Sequence, residues 1–142
     1  MKERKENLNE IAVKFDLDII YTFGSHAKEV LEWIEGKVST ISVAQISDVE
    51  IGVKPSLKIG FSVKEKVHLA SALEDLFEVN RVDLVVIPET DPFLAANIIR
   101  GERIYSKAEH EADEYDFYIL RRAGDLVPLE RKRIDLIMRR EE

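Results

Sequence analysis

In the run Ser47-Asp48-Val49-Glu50-Ile51-Gly52-Val53, acids alternate with aliphatic residues. Side chains two apart on a strand share a face, so Asp48 and Glu50 point one way and Val49, Ile51 and Val53 the other. Two carboxylates side by side repel each other, and a divalent metal between them is the simplest relief. Two other stretches add to this. Tyr21-Thr22-Phe23-Gly24-Ser25 is an apolar strand running into a Gly-Ser turn, with a helix predicted after it. Free amide hydrogens and partial positive charge at such a junction suit a phosphate. Glycine lets the backbone approach closely, and the serine hydroxyl adds a hydrogen bond. Val82-Asp83-Leu84-Val85-Val86-Ile87 is an apolar strand with one acid near its start. Each feature has a plainer reading. Gly-Ser is a common turn, an i, i+2 acid pair can be a solvated strand face, and Asp83 can be a strand-start residue. The case rests on their combination and order.

The elements that must position these residues follow from pattern. Residues 2–15 read as a helix through Leu8, Ile11, Ala12 and Phe15. Residues 18–23 read as a buried strand. Residues 26–35 suit a helix with Ala27, Val30, Leu31 and Ile34 on one face, stopped by Gly36. Residues 37–46 fit an extra strand or a loop equally well. The acid-bearing strand is closed by Pro55. Ser62 with Glu65 three residues on has capping-box spacing, and Val67, Ala70, Leu73, Leu76 and Phe77 make the apolar stripe of the helix it opens. Asp91-Pro92 starts another helix, and residues 103–105 suit a short edge strand. From about 112 to 140 the chain reads as helix, with Pro128 predicting a kink or two helices. The order predicts an α/β domain, a small sheet flanked by helices.

With 142 residues, the expectation is one domain. Its core would span about 10–110, with a C-terminal helical region over about 112–140. The net charge of −7 does not favour free nucleic acid as a ligand. The chain has no cysteine, which excludes disulfides, cysteine-ligated zinc and thiol catalysis. Met1 to Glu10 is too charged for a secretory signal, and the apolar runs are too short to span a bilayer. A cytoplasmic protein with no membrane partner is expected. His68 reads as a partly buried structural histidine and His26 as a surface helix residue. His110-Glu111 does not continue into a zinc-binding spacing. Trp33, Tyr115, Phe117 and Tyr118 read as core or interface.

On Gly24-Ser25, the Ser47–Val53 run, Asp83 within Arg81–Val86, and the tail Ile98–Tyr105, the chain resembles the minimal nucleotidyltransferases of the polymerase-β-like superfamily. The resemblance covers roughly 10–120. It implies a small mixed β-sheet, the nucleotidyltransferase palm, with C-terminal helices. It also implies that Gly24 and Ser25, helped by Lys28 and Ser47, hold a nucleoside triphosphate. Asp48, Glu50 and Asp83 would bind two Mg2+ ions, and Asp83 would help activate the attacking hydroxyl. The activity implied is transfer of a nucleoside monophosphate, from ATP first, to a hydroxyl acceptor. The smallest members commonly pair with HEPN-domain ribonuclease toxins as antitoxins, so a HEPN-type toxin is the implied partner; a homodimer stays open. Glu50 stands where the family usually has aspartate. Lys28 replaces an arginine and Glu29 a glycine, and 22 residues separate Ser25 from Asp48. A catalytically degenerate member acting as a binding or antitoxin module is the alternative. On that reading the contact would use Phe117, Leu120, Leu126, Leu129 and Ile137, a stripe that would otherwise serve the domain core.

Overall fold

The computed structural model describes residues 3–38, 49–56 and 61–140, with side chains of the last helix described through Gly124. Leu17–Phe23 forms β1, a near-continuous apolar segment buried on both faces, as expected of a strand covered on both sides. It is preceded by α1 (Arg4–Lys14) and followed by α2 (Ala27–Ile34). The acid-bearing strand is β2 (Val49–Pro55), then come α3 (Val63–Phe77) and β3 (Val82–Val86). After a single 3-10 turn, Ile87–Glu89, the chain continues through α4 (Pro92–Ile99), β4 (Glu102–Ser106) and α5 (Glu109–Arg140). The sheet order is β3-β2-β1-β4. β1 runs antiparallel to β2 and to β4, whereas β2 and β3 are parallel. The expected small mixed sheet flanked by helices is therefore the observed fold.

Two apolar layers sandwich the sheet. On one face Ile20, Val49, Ile51, Val53, Val82 and Val86 pack with Leu8, Val30, Trp33, Leu69, Leu73 and Phe77 from α1 to α3. On the other, Ile19, Tyr21 and Phe23 meet Ala95, Ala96, Ile98 and Ile99 of α4, and Ala112, Ile119 and Ala123 of α5. Leu17 and Ile20 share a layer, against a strict period of two, because the β1–β2 register shifts between Leu17 and Ile19. Gly52 is what admits α4. A Cβ there would stand 2.5 Å from Ile98 Cγ2, so only glycine lets α4 pack this close to β2.

Local start signals behave as read. Ser62 Oγ accepts from the Glu65 amide and Glu65 returns a bond to the Ser62 amide, a full capping box. Asp91 accepts from the amides of Phe93 and Leu94 with Pro92 at the first helical position.

Several expectations change. The buried stripe of α3 is Leu69, Leu73 and Phe77, whereas Val67 is exposed. Leu73 and Phe77 of the expected stripe are buried and Leu76 packs against the core, but Leu69 takes the place expected of Val67. His68 is exposed, not partly buried. Trp33 is core, one of its two expected places, 5.5 Å from the Phe77 ring, with the Arg4 guanidinium 4.1 Å over its face. Among the described residues of α5, Ala112, Ile119 and Ala123 are buried, while Phe117 is largely exposed and Leu120 only partly covered. α5 is a single helix of 32 residues that continues through Pro128 rather than two helices. An interior proline removes one donor and crowds one carbonyl, and helical turns on both sides carry the helix through by propagation. The side chains of Leu126, Leu129 and Ile137 lie outside the described residues, as does nearly all of segment 37–46.

A polar cluster fastens α5 to the sheet. The buried Tyr21 hydroxyl donates to Asp116. Arg103 on β4 donates to Asp116 at 3.3 Å, to Asp113 at 2.8 Å and to Glu109 at 3.0 Å. Burial, then the Asp116 hydrogen bond, raises the Tyr21 phenol far above its ordinary range. Burial also raises the Asp116 carboxyl, against the lowering effects of Tyr21 and Arg103.

Candidate active site

Three strand ends meet at one corner of the sheet. Because β1 is antiparallel to β2, its C-terminal end lies beside the N-terminal end of β2, and Phe23 is the register partner of Glu50. Because β3 is parallel to β2, its N-terminal end arrives at the same corner, where Asp83 is the register partner of Glu50. Paired residues on adjacent strands, about 4.8 Å apart, point to the same side. Glu50 and Asp83 therefore flank one another, on the face that also carries Gly52 and Val85. The Thr22 hydroxyl, fully buried, donates to the Glu50 carbonyl at 3.2 Å and ties the acid-bearing strand to β1. Sequence reading missed this role. The signal was there: a threonine inside the apolar run Ile19–Phe23, two before the glycine.

Gly24 ends β1 with φ +83°, a conformation that favours glycine. Its carbonyl accepts from the Ala27 amide at 3.3 Å, closing the turn that leads into α2. Ser25 and Lys28 are exposed beside this turn. The Glu50 carboxylate lies directly over Gly24. A Cβ on Gly24 would stand 2.8 Å from Glu50 Cδ and would overlap Oε2. Asp83 accepts from Arg81 at 3.1 Å. His26 takes the N-cap position of α2, and its Nδ1 is buried with no hydrogen-bond partner among the described residues, 3.7 Å from a Glu29 carboxylate oxygen. It is thus part of the turn rather than a free surface residue.

The structure brings Gly24, Ser25, Glu50 and Asp83 to one corner. Asp48 and Ser47 lie outside the described residues. Among the described residues no three His, Cys, Asp or Glu side chains are grouped closely enough to hold a metal ion. The donor set nevertheless fits magnesium in kind. Paired carboxylates are hard oxygen ligands, and phosphates usually complete a magnesium shell.

Parallel and antiparallel strands in this order, an acid pair across β2 and β3, and a glycine turn at the end of β1 define a nucleotidyltransferase palm. The family described as "Polymerase beta, Nucleotidyltransferase" matches residues 6–110, and the chain belongs to that family. Solved structures of similar fold include toxin–antitoxin complexes. One, a mutant of the toxin–antitoxin MntA-HpeT, is 17% identical with a TM-score of 0.68, covering 94% of this chain and 98% of that chain. A second, a toxin–antitoxin with AMP-PNP, has the same identity, coverage and TM-score. A third is a tri-AMPylated HEPN toxin from Shewanella oneidensis in complex with MNT antitoxin. It is 15% identical, with a TM-score of 0.67, and the match covers 95% of this chain and 96% of that chain. No curated protein matches the chain. No helix among the described residues is long and apolar enough to cross a membrane.

Proposed function

We propose that this chain is a metal-dependent nucleotidyltransferase that moves a nucleoside monophosphate from a nucleoside triphosphate, ATP first, to a hydroxyl on a protein partner. The observation that carries the reading is the register pairing of Glu50 with Asp83 beside the Gly24 turn. In this reading Asp48, Glu50 and Asp83 hold two magnesium ions. Gly24 and Ser25 receive the triphosphate through backbone amides and the serine hydroxyl, with Ser47 and Lys28 assisting. Lys28 acts as a point charge without the forked geometry of an arginine. Bound magnesium would supply charge neutralisation at the attacking and leaving oxygens. The acceptor oxygen forms a bond to the α-phosphorus and the bond to the β-phosphate oxygen breaks. Pyrophosphate leaves, and Asp83 takes the acceptor proton. The partner proposed is a HEPN-type toxin, with this chain as its antitoxin. Support comes from the fold shared with an MNT antitoxin in complex with an AMPylated HEPN toxin, and with a toxin–antitoxin that holds AMP-PNP.

The test is calorimetric titration of ATP with magnesium into the native protein and into an Asp48→Asn/Glu50→Gln double variant. The expected result is magnesium-dependent binding that the double variant loses. Silence of the native protein towards ATP, GTP, CTP and UTP alike would remove the unassisted enzyme. A second reading, a catalytically degenerate antitoxin module, is favoured by Arg81, which already occupies an Asp83 oxygen at 3.1 Å. It predicts that silence together with retained binding to the toxin.

A further inference from the structure

We infer that Glu50 closes the Gly24-Ser25 turn to polyphosphate until a divalent cation draws its carboxylate away, so that metal must bind before nucleotide. The inference rests on the nucleotidyltransferase reading and deepens it. Its ground is the seat of the Glu50 side chain. The register places Glu50 beside Phe23, one residue short of the turn. From there the carboxylate reaches over Gly24 and fills the space that glycine leaves by lacking a Cβ, with Cδ 2.8 Å from that position. On the nucleotidyltransferase reading a phosphate would need the volume beside Gly24, and a carboxylate already holds it. The extra methylene of glutamate provides this reach. An aspartate on the same backbone would end about 1.5 Å short, one carbon–carbon bond. The block is both steric and electrostatic, because a carboxylate over the turn repels the anion the turn would receive.

Metal changes the balance in one step. A cation shared with Asp83, the register partner of Glu50 on the same face, attracts the Glu50 carboxylate off Gly24. The same movement that brings Glu50 onto the metal uncovers the turn. A polyphosphate arriving without metal meets the closed arrangement.

The test measures equilibrium binding of ATP to the native protein, Glu50→Ala and Glu50→Gln, each in EDTA and in magnesium, with thermal melts to confirm folding. Glu50→Ala removes both bulk and charge, and Glu50→Gln keeps the bulk. In EDTA, Glu50→Ala should bind ATP about tenfold or more tightly than the native protein, as expected from removing a like charge at contact range. Glu50→Gln should fall between them. In magnesium the native protein should bind at least as well as either variant. Equal affinities of native protein and Glu50→Ala in EDTA, with native binding intact in magnesium, would overturn the gate and leave the nucleotidyltransferase reading standing. No binding by the native protein in magnesium would overturn both. A Glu50→Ala protein that fails to fold leaves the comparison to Glu50→Gln, where affinity in EDTA no higher than native overturns the inference.

Discussion

Gly52→Ala should destabilise the domain through a single contact. The added Cβ would stand 2.5 Å from Ile98 Cγ2, with Ile87 Cδ1 and Cγ1 at 3.5 Å. Carbon atoms in comfortable contact sit about 3.5–4.0 Å apart, so Ile98 and β2 must separate by about 1 Å. Ile98 is fully buried on α4 and cannot swing into solvent. Overpacking of this kind costs about 1–3 kcal/mol. Replacing a strand glycine returns roughly 0.5–1 kcal/mol through the unfolded chain, which leaves a net loss of about 1 kcal/mol at mid-range and about 2.5 kcal/mol at most. For a domain of this size each kcal/mol lowers Tm by roughly 4 °C. The assay is chemical denaturation of the native protein, Gly52→Ala, Ile98→Ala and the double variant. Ile98→Ala alone should cost about 2–5 kcal/mol, but it removes the atom that the new methyl group would strike. The double variant should therefore be more stable than the sum of the singles by about 1 kcal/mol or more. A Gly52→Ala protein as stable as the native one, or strict additivity with Ile98→Ala, would refute the claim that α4 rests directly on β2. The consequence reaches the site, because Gly52 lies two residues from Glu50 on the same strand face.

Two further outcomes follow from polar contacts on the sheet. Burial opposes ionisation of Asp18, but hydrogen bonds from Lys54 at 2.8 Å and Ser56 at 2.6 Å, with the charges of Lys54 and Lys107, outweigh it and lower its pKa. A lowered folded pKa contributes stability that is present above the unfolded value of about 3.9 and is lost as pH falls through the folded value. Asp18→Asn should therefore cost about 1 kcal/mol at pH 7, and the gap from the native protein should close below about pH 4, as read by urea midpoints across pH. Tyr21→Phe deletes the hydroxyl that donates to Asp116. Loss of a bond to a charged acceptor should cost about 1.5–3 kcal/mol, measured by denaturation. A loss below about 0.5 kcal/mol, under the usual range for a hydrogen bond, would mean that Arg103 alone holds Asp116.

Signals that act within a few residues were legible before any tertiary structure. The Ser62–Glu65 box, the Asp91-Pro92 start, the apolar β1 run and the alternation in β2 all fall where the residues put them. Each depends on backbone bonds or side-chain periods that close over a few neighbouring residues. The residue types of the site were equally legible, because hard oxygen donors and a glycine turn are chemical identities rather than positions. Which aliphatic residue completes the buried face of α3 was not. Leu69 and Val67 are both aliphatic, and only the position of the sheet decides which is buried. Phe117 reads as apolar stripe and stands exposed, because the anchor at Asp116 and the small residues Ala112 and Ala123 set the rotation of α5 instead.

Residue order alone was enough to specify an α/β domain carrying a glycine turn and three acids in a fixed succession. It left open that β2 and β3 run parallel, that Glu50 faces Asp83, and that Glu50 lies over Gly24. Strand direction and register are chosen by which apolar faces bury together across the whole sheet. Tyr21 and Asp116, 95 residues apart, meet only when α5 crosses that sheet. The chemistry is written in residue types, whereas its geometry is a product of long-range packing.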